Sequence, residues 1–141
     1  MKMIYSKIVG STFTDKGQEL IKTKIKVGDI LNLVRDYKNQ HDLNTIQVQD
    51  RNINVLGYIQ RELAQEIAHR IDTGSFYFAQ VVSITGKEGL NVGCNIKIRG
   101  YDKFKTEELY KKYNDLKARN SEDLPNSIEE YIIMLEEKDD N

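Results

Sequence analysis

Leu31-Asn32-Leu33-Val34-Arg35-Asp36-Tyr37-Lys38-Asn39-Gln40-His41-Asp42-Leu43-Asn44-Thr45-Ile46-Gln47-Val48-Gln49 and its continuation Asp50-Arg51-Asn52-Ile53-Asn54-Val55-Leu56-Gly57-Tyr58-Ile59-Gln60-Arg61-Glu62-Leu63 decide the fold. The stretch opens on a strand alternation, with Leu31, Leu33 and Arg35 on one face and Ile30, Asn32 and Val34 on the other. A polar loop follows over residues 36–44. Ile46 and Val48 then alternate inward in a second short strand. Asp50-Arg51-Asn52 supplies a turn, Val55 to Ile59 a third strand, and a helix is expected to start near Arg61. A polar loop held between two strands is a common place to mount a binding site.

The flanks extend this pattern. Residues 3–9 read as a strand ending at Gly10, and residues 11–17 as a loop that carries Phe13. Residues 18–25 fit either a strand or a short helix. Val27-Gly28-Asp29 is a turn. The helix over residues 61–71 places Leu63, Ala64, Ile67, Ala68 and Ile71 on one face and ends at Thr73-Gly74. Residues 76–85 form the longest strand candidate, with Phe76, Phe78, Gln80 and Val82 alternating against Tyr77, Ala79, Val81 and Ser83. Both faces are partly apolar, which suits a strand curving around a small barrel. A hairpin turn over residues 86–89 leads to a return strand with Cys94, Ile96 and Ile98 on one face.

Composition shifts after about residue 104. Leu109, Tyr110, Tyr113 and Leu116 fall at helical spacing over residues 106–117. A connector with Pro125 follows, and Ser127-Ile128-Glu129-Glu130 reads as a capping box before a last helix with Tyr131, Ile132 and Leu135. The expected architecture is mainly β (β+α): a small OB-like β-barrel over residues 1–104 with one packed helix, plus two C-terminal α-helices in an acidic extension over residues 105–141. These helices are expected to pack on the barrel, swap between chains or form a partner surface.

Charge follows the same division. Residues 1–105 carry 16 Lys/Arg and 11 Asp/Glu, a balance of +5, and residues 106–141 carry 5 and 11, a balance of −6, which together make the net −1. A basic body beside an acidic segment fits a polyanion-binding surface with a polyanion mimic nearby. The single cysteine, Cys94, leaves no disulfide framework and no zinc motif. No apolar run has the length of a signal peptide or a membrane span, so the chain is expected to be cytoplasmic. His41-Asp42 is the only pairing with the look of nuclease chemistry. His69 lies far off on a helix and no second acidic cluster has metal spacing, so no enzyme, no catalytic residue, no metal and no cofactor are expected.

Arg35-Asp36, Asn39, Asp42, Asn44, Ile46 and Val48, followed by Gly57-Tyr58-Ile59 and Arg61-Glu62-Leu63-Ala64, resemble the HIRAN domain family. Lys7-Ile8-Val9-Gly10-Ser11-Thr12-Phe13 and the segment over residues 79–86 extend the likeness to about residues 5–100. The resemblance implies a barrel related to the OB-folds and a groove that holds the free 3′ end of single-stranded DNA. By position, Asp42 matches the acidic residue that accepts from the terminal hydroxyl and would repel a phosphate. Phe13 matches the aromatic that stacks on a base, with an ordinary core phenylalanine as the other reading, and Arg61 matches a basic residue at the helix start, where free amides also favour phosphate, with a solvated first-turn arginine as the other reading. Asn39 fits an end or base contact, and Tyr58 fits either a groove wall or a core edge. Asp42 and Asn44 also fit side-chain-to-backbone turns that shape the loop, and Asn44 reads better as such a turn former than as a contact. The chain departs from the family at two places. Gln40-His41 stands where Pro-Tyr is usual, so His41 offers an imidazole in place of a phenol ring, and Thr12 stands where the helicase-like members have arginine, which removes a phosphate contact.

The resemblance thus implies a nucleic-acid-binding module for single-stranded DNA ends in DNA repair or replication restart, alongside a helicase or nuclease partner. From a different class, the acidic C-terminal helices could instead be the working part of a protein-interaction or regulatory module, with Tyr110, Tyr113 and Tyr131 on them and the barrel as scaffold. The oligomeric state is left open.

Overall fold

The computed structural model describes residues 1–86 and 89–139. Its strands are β1 (Lys2–Lys7), β2 (Ile30–Arg35), β3 (Ile46–Gln49), β4 (Val55–Tyr58), β5 (Phe76–Thr85) and β6 (Gly93–Tyr101). Its helices are α1 (Gly17–Thr23), α2 (Arg61–Asp72), α3 (Lys103–Ala118) and α4 (Ile128–Asp139). The strands form one antiparallel sheet in the order β1-β6-β5-β2-β3-β4. The sheet curls into a half-barrel. Its two outer strands approach each other where Val9, just past β1, exchanges both backbone hydrogen bonds with Tyr58 of β4, at 2.9 and 2.8 Å. That approach depends on Gly57, because a Cβ there would stand 2.4 Å from Ile8 Cγ2 and 2.6 Å from the Val9 carbonyl oxygen.

The concave side holds the main core. Leu31, Ile46, Val48, Leu56, Ala79, Ile96 and Ile98 line it, and α2 fills it with Leu63, Ala64, Ile67 and Ala68. The run over residues 18–25 settles as the helix α1, which buries Ile21 in the same core. A run this short fits both periods, and the buried site for Ile21 decides it. The end of α2 carries a Schellman pair: Gly74 N–H donates to the Ile71 carbonyl at 3.2 Å and Ser75 N–H to the Arg70 carbonyl at 2.9 Å. Part of the hairpin turn over residues 86–89 falls on residues 87 and 88, outside the described residues.

The two apolar faces of β5 have a different cause from barrel curvature. Tyr77, Ala79 and Val81 face the main core. Phe78 faces outward into a second core with Tyr101 of β6, Leu109 and Tyr113 of α3, and Ile128, Tyr131 and Ile132 of α4. The C-terminal helices therefore pack flat against the convex side of the sheet. Ser127 Oγ accepts from Glu130 N–H at 3.2 Å, the cap that the sequence predicts for α4. The strict alternation of β5 also fails at Val82. Val81 pairs with Ile96 and Ser83 with Asn95, so Val82 is the extra residue of a bulge. Ser83 consequently joins Gln80 on the outer face, and Ile84 returns to the core side.

Candidate nucleic-acid interface

Phe13 ends a 3-10 turn over Ser11–Phe13 that starts from Gly10 at φ 69°. Phe13 N–H donates to the Gly10 carbonyl at 3.0 Å, and Thr14 Oγ1 closes the following turn by accepting from Gly17 N–H at 2.8 Å. On this fixed turn the Phe13 ring is 89% exposed, so it is not a core phenylalanine. Gly10 is the spacer beneath it. A Cβ at Gly10 would lie 3.1 Å from the Tyr58 ring and 4.0 Å from the Phe13 ring, so the two aromatics flank one backbone position. The positive φ and the absent side chain both call for glycine there.

The loop over residues 36–45 is built by its own side chains. Asn39 Oδ1 accepts from the N–H groups of His41 and Asp42 at 2.9 and 3.1 Å. Asp42 Oδ1 accepts from Asn44 N–H at 2.9 Å, and the Asp42 carbonyl accepts from Thr45 Oγ1 at 2.8 Å. These are Asx turns. Asn39 therefore spends its carbonyl oxygen inside the loop and has its amide NH2 to offer a ligand. Asp42 divides its carboxylate, with Oδ1 in the turn and Oδ2 3.9 Å from Arg61 Nε at the start of α2. Arg61 is itself mostly exposed, and so is His41.

The predicted residues fall into two close sets joined by the β4–α2 junction. Phe13 and Tyr58 make one, and Asn39, His41, Asp42 and Arg61 the other. Tyr58 and Arg61 are three residues apart across that junction. Between them the two sets offer an exposed ring, a half-buried ring, a half-buried carboxylate and an exposed guanidinium, groups able to stack a base and to accept a hydrogen bond from a hydroxyl.

Sequence reasoning left out the residues that hold the loop. Arg35 Nη1 donates to the Thr45 carbonyl and Nη2 to the Leu43 carbonyl, each at 2.8 Å. Its Nε lies 3.0 Å from Asp72 Oδ1, at the last residue of α2. Tyr37 adds a 2.6 Å hydrogen bond from its hydroxyl to Asp72, and the guanidinium sits 4.8 Å over the Tyr37 ring. These two hydrogen bonds, from Arg35 first and Tyr37 second, hold the Asp72 carboxyl below its ordinary range, and the same bond to Asp72 raises the Tyr37 hydroxyl. The available signal was Arg35 itself, a charge at the inward register of Leu31 and Leu33, where a buried cation needs partners.

The family model that matches this chain is the HIRAN domain, over residues 1–100. The chain belongs to the HIRAN domain family. HIRAN domains are nucleic-acid-binding modules. The fold agrees with solved structures of similar shape. The crystal structure of the HIRAN domain of human HLTF has a TM-score of 0.56 and 22% identity, with 72% of this chain and 76% of that one covered. A crystal structure of a protein from Lactobacillus plantarum has a TM-score of 0.52 and 23% identity, covering 70% of this chain and 99% of that one. No curated relative matches the chain. Among the described residues, no group of three His, Cys, Asp or Glu is placed to hold a metal ion, and no helix is long and apolar enough to cross a membrane.

Proposed function

We propose that this HIRAN domain binds single-stranded DNA at its free 3′-hydroxyl end, as a recognition module of DNA repair or replication restart and not as an enzyme. The observation that carries the reading is the Phe13 ring, 89% exposed on a rigid turn beside Tyr58, with Asp42 and Arg61 at the adjoining junction. An exposed phenylalanine has no packing role, and a flat apolar surface beside a cation suits a base and its phosphate. Asp42 Oδ2 accepts from the terminal hydroxyl and repels a terminal phosphate, while Arg61 takes the preceding phosphate. Asn39 and His41 contact the terminal sugar or base. The alternative reading, through the acidic helices, loses much of its surface, because the apolar faces of α3 and α4 are occupied by the sheet.

Fluorescence anisotropy with oligonucleotides ending in 3′-hydroxyl or 3′-phosphate tests the reading. The hydroxyl end binds more tightly, and Asp42→Asn, which keeps the turn-forming oxygen, abolishes the preference. Phe13→Ala weakens both ends by about 1–3 kcal/mol. With two or three phosphates contacted, the log–log salt slope is near −2. Equal affinity for the two ends in the unmodified protein would sink the end-recognition reading.

A further inference from the structure

We propose that the uncovered half of the convex sheet face is a second nucleic-acid subsite, which takes the nucleotides preceding the end held at Phe13 and Asp42. The proposal rests on the end-binding reading above and extends it to residues outside the resemblance to the family's end pocket.

Strand register carries the argument. Val9 bridges Tyr58, so Tyr58, Val9, Lys7 and Tyr5 succeed one another on the same outer face. Lys7 lies opposite Asn95, and Tyr5 opposite Lys97, which in turn lies opposite Gln80. Tyr5 is 68% exposed in the middle of a paired strand, where nothing in the fold needs a large ring. An open cleft of about 390 Å³ runs here, lined by Tyr5, Lys7, Gln60, Val82 and Asn95 among others. The Val82 bulge shapes its far wall. Gln60 lines it too and immediately precedes Arg61, which puts the cleft beside the start of α2.

The chemistry of this track is that of single-strand binding: a ring for a base, two ammonium groups for phosphates, and amides for sugar and base edges. Among the described residues, no acidic one lines the cleft. The five-residue run from Val9 to Tyr5 spans about 13 Å, room for a few nucleotides. The two ammonium groups and the position beside the end site together favour nucleic acid over a peptide as the occupant.

The test compares 3′-hydroxyl oligonucleotides of two and eight nucleotides by anisotropy. The eight-mer binds the unmodified protein more tightly. Tyr5→Ala lowers eight-mer affinity about tenfold and leaves the dinucleotide unchanged, and Tyr5→Phe restores it. Lys7→Ala and Lys97→Ala each reduce the eight-mer salt slope by about 1. The hydroxyl-over-phosphate preference survives in all three alanine variants. Equal affinity for the two lengths overturns the proposal, as does a Tyr5→Ala loss that strikes both lengths alike. Length dependence without end preference would instead overturn the end-binding reading and keep this track, and no binding to any oligonucleotide would overturn both.

Discussion

Two halves of one sheet face make opposite use of the same chemistry. On the covered half, Phe78 of β5 lies beside Arg99 of β6, with the guanidinium 5.6 Å over the ring. On the open half, one register step along, Tyr5 of β1 lies beside Lys97 of β6. Each is an aromatic next to a cation on the same outer face. The first pair is buried, with Phe78 at 1% and Arg99 at 3% exposure, while Tyr5 is 68% exposed. What separates them is a partner. Glu136 of α4 accepts from Arg99 Nε at 2.9 and 2.8 Å and from the Tyr101 hydroxyl at 3.1 Å, and Gln80 Oε1 accepts from Arg99 Nη1 at 2.9 Å. Burial and the Glu136 charge together push the Tyr101 hydroxyl upward. α4 brings a carboxylate and an apolar face to one half, and no described helix does so for the other. An aromatic–cation pair in a strand is therefore neither core nor binding site by itself. The element that covers it decides.

Mutation can break this contrast. Phe78→Ala removes a buried ring at the centre of the second core and should cost about 3–5 kcal/mol in urea denaturation. Phe13→Ala, by contrast, should stay within about 0.5 kcal/mol of the parent. Comparable losses would mean that the exposed ring has a structural role after all. Glu136→Ala strands the Arg99 guanidinium under α4 and should cost about 3 kcal/mol, less if Gln80 compensates. A cost near zero would show the covered half to be held by apolar packing alone. Cys94 sharpens the comparison from the open side at little energetic cost. It lies at 1% exposure on the core side of β6, and burial first, then the Asp29 charge, pushes its thiol up to about 11. Iodoacetamide at pH 8 should label it only as the protein unfolds, so rapid native labelling would mean that the open half is loose and not a rigid platform.

Much of this was legible in the residues. The amphipathic period of α2 and the inward alternation of Ile46 and Val48 are strong because one buried face enforces each. The Asx turn of Asp42 is local, and local hydrogen bonding leaves a sequence trace, whereas the turn made by Asn39, read from the sequence as an end or base contact, went unread. The rest depends on distant parts of the chain. Phe78 reads as one face of a curved strand until α3 and α4, far along the sequence, come to cover it. The Val82 bulge is a single inserted residue with no compositional signal. The grip of Arg35 on Asp72 joins residues on different elements, and only the inward placement of a charge hinted at it. The positions of Phe13, Asp42 and Arg61 were named through the family motif, and periodicity alone would not have singled them out.

The loop over residues 36–45 is attached to α2 at both of the helix's ends. Arg35 fastens it to Asp72, the final helical residue, and Asp42 approaches Arg61, the first. The helix spans about 18 Å between them, so the loop is strung along it as a cord along a bow. A shift of the helix along its axis would therefore be felt at both of the loop's moorings at once.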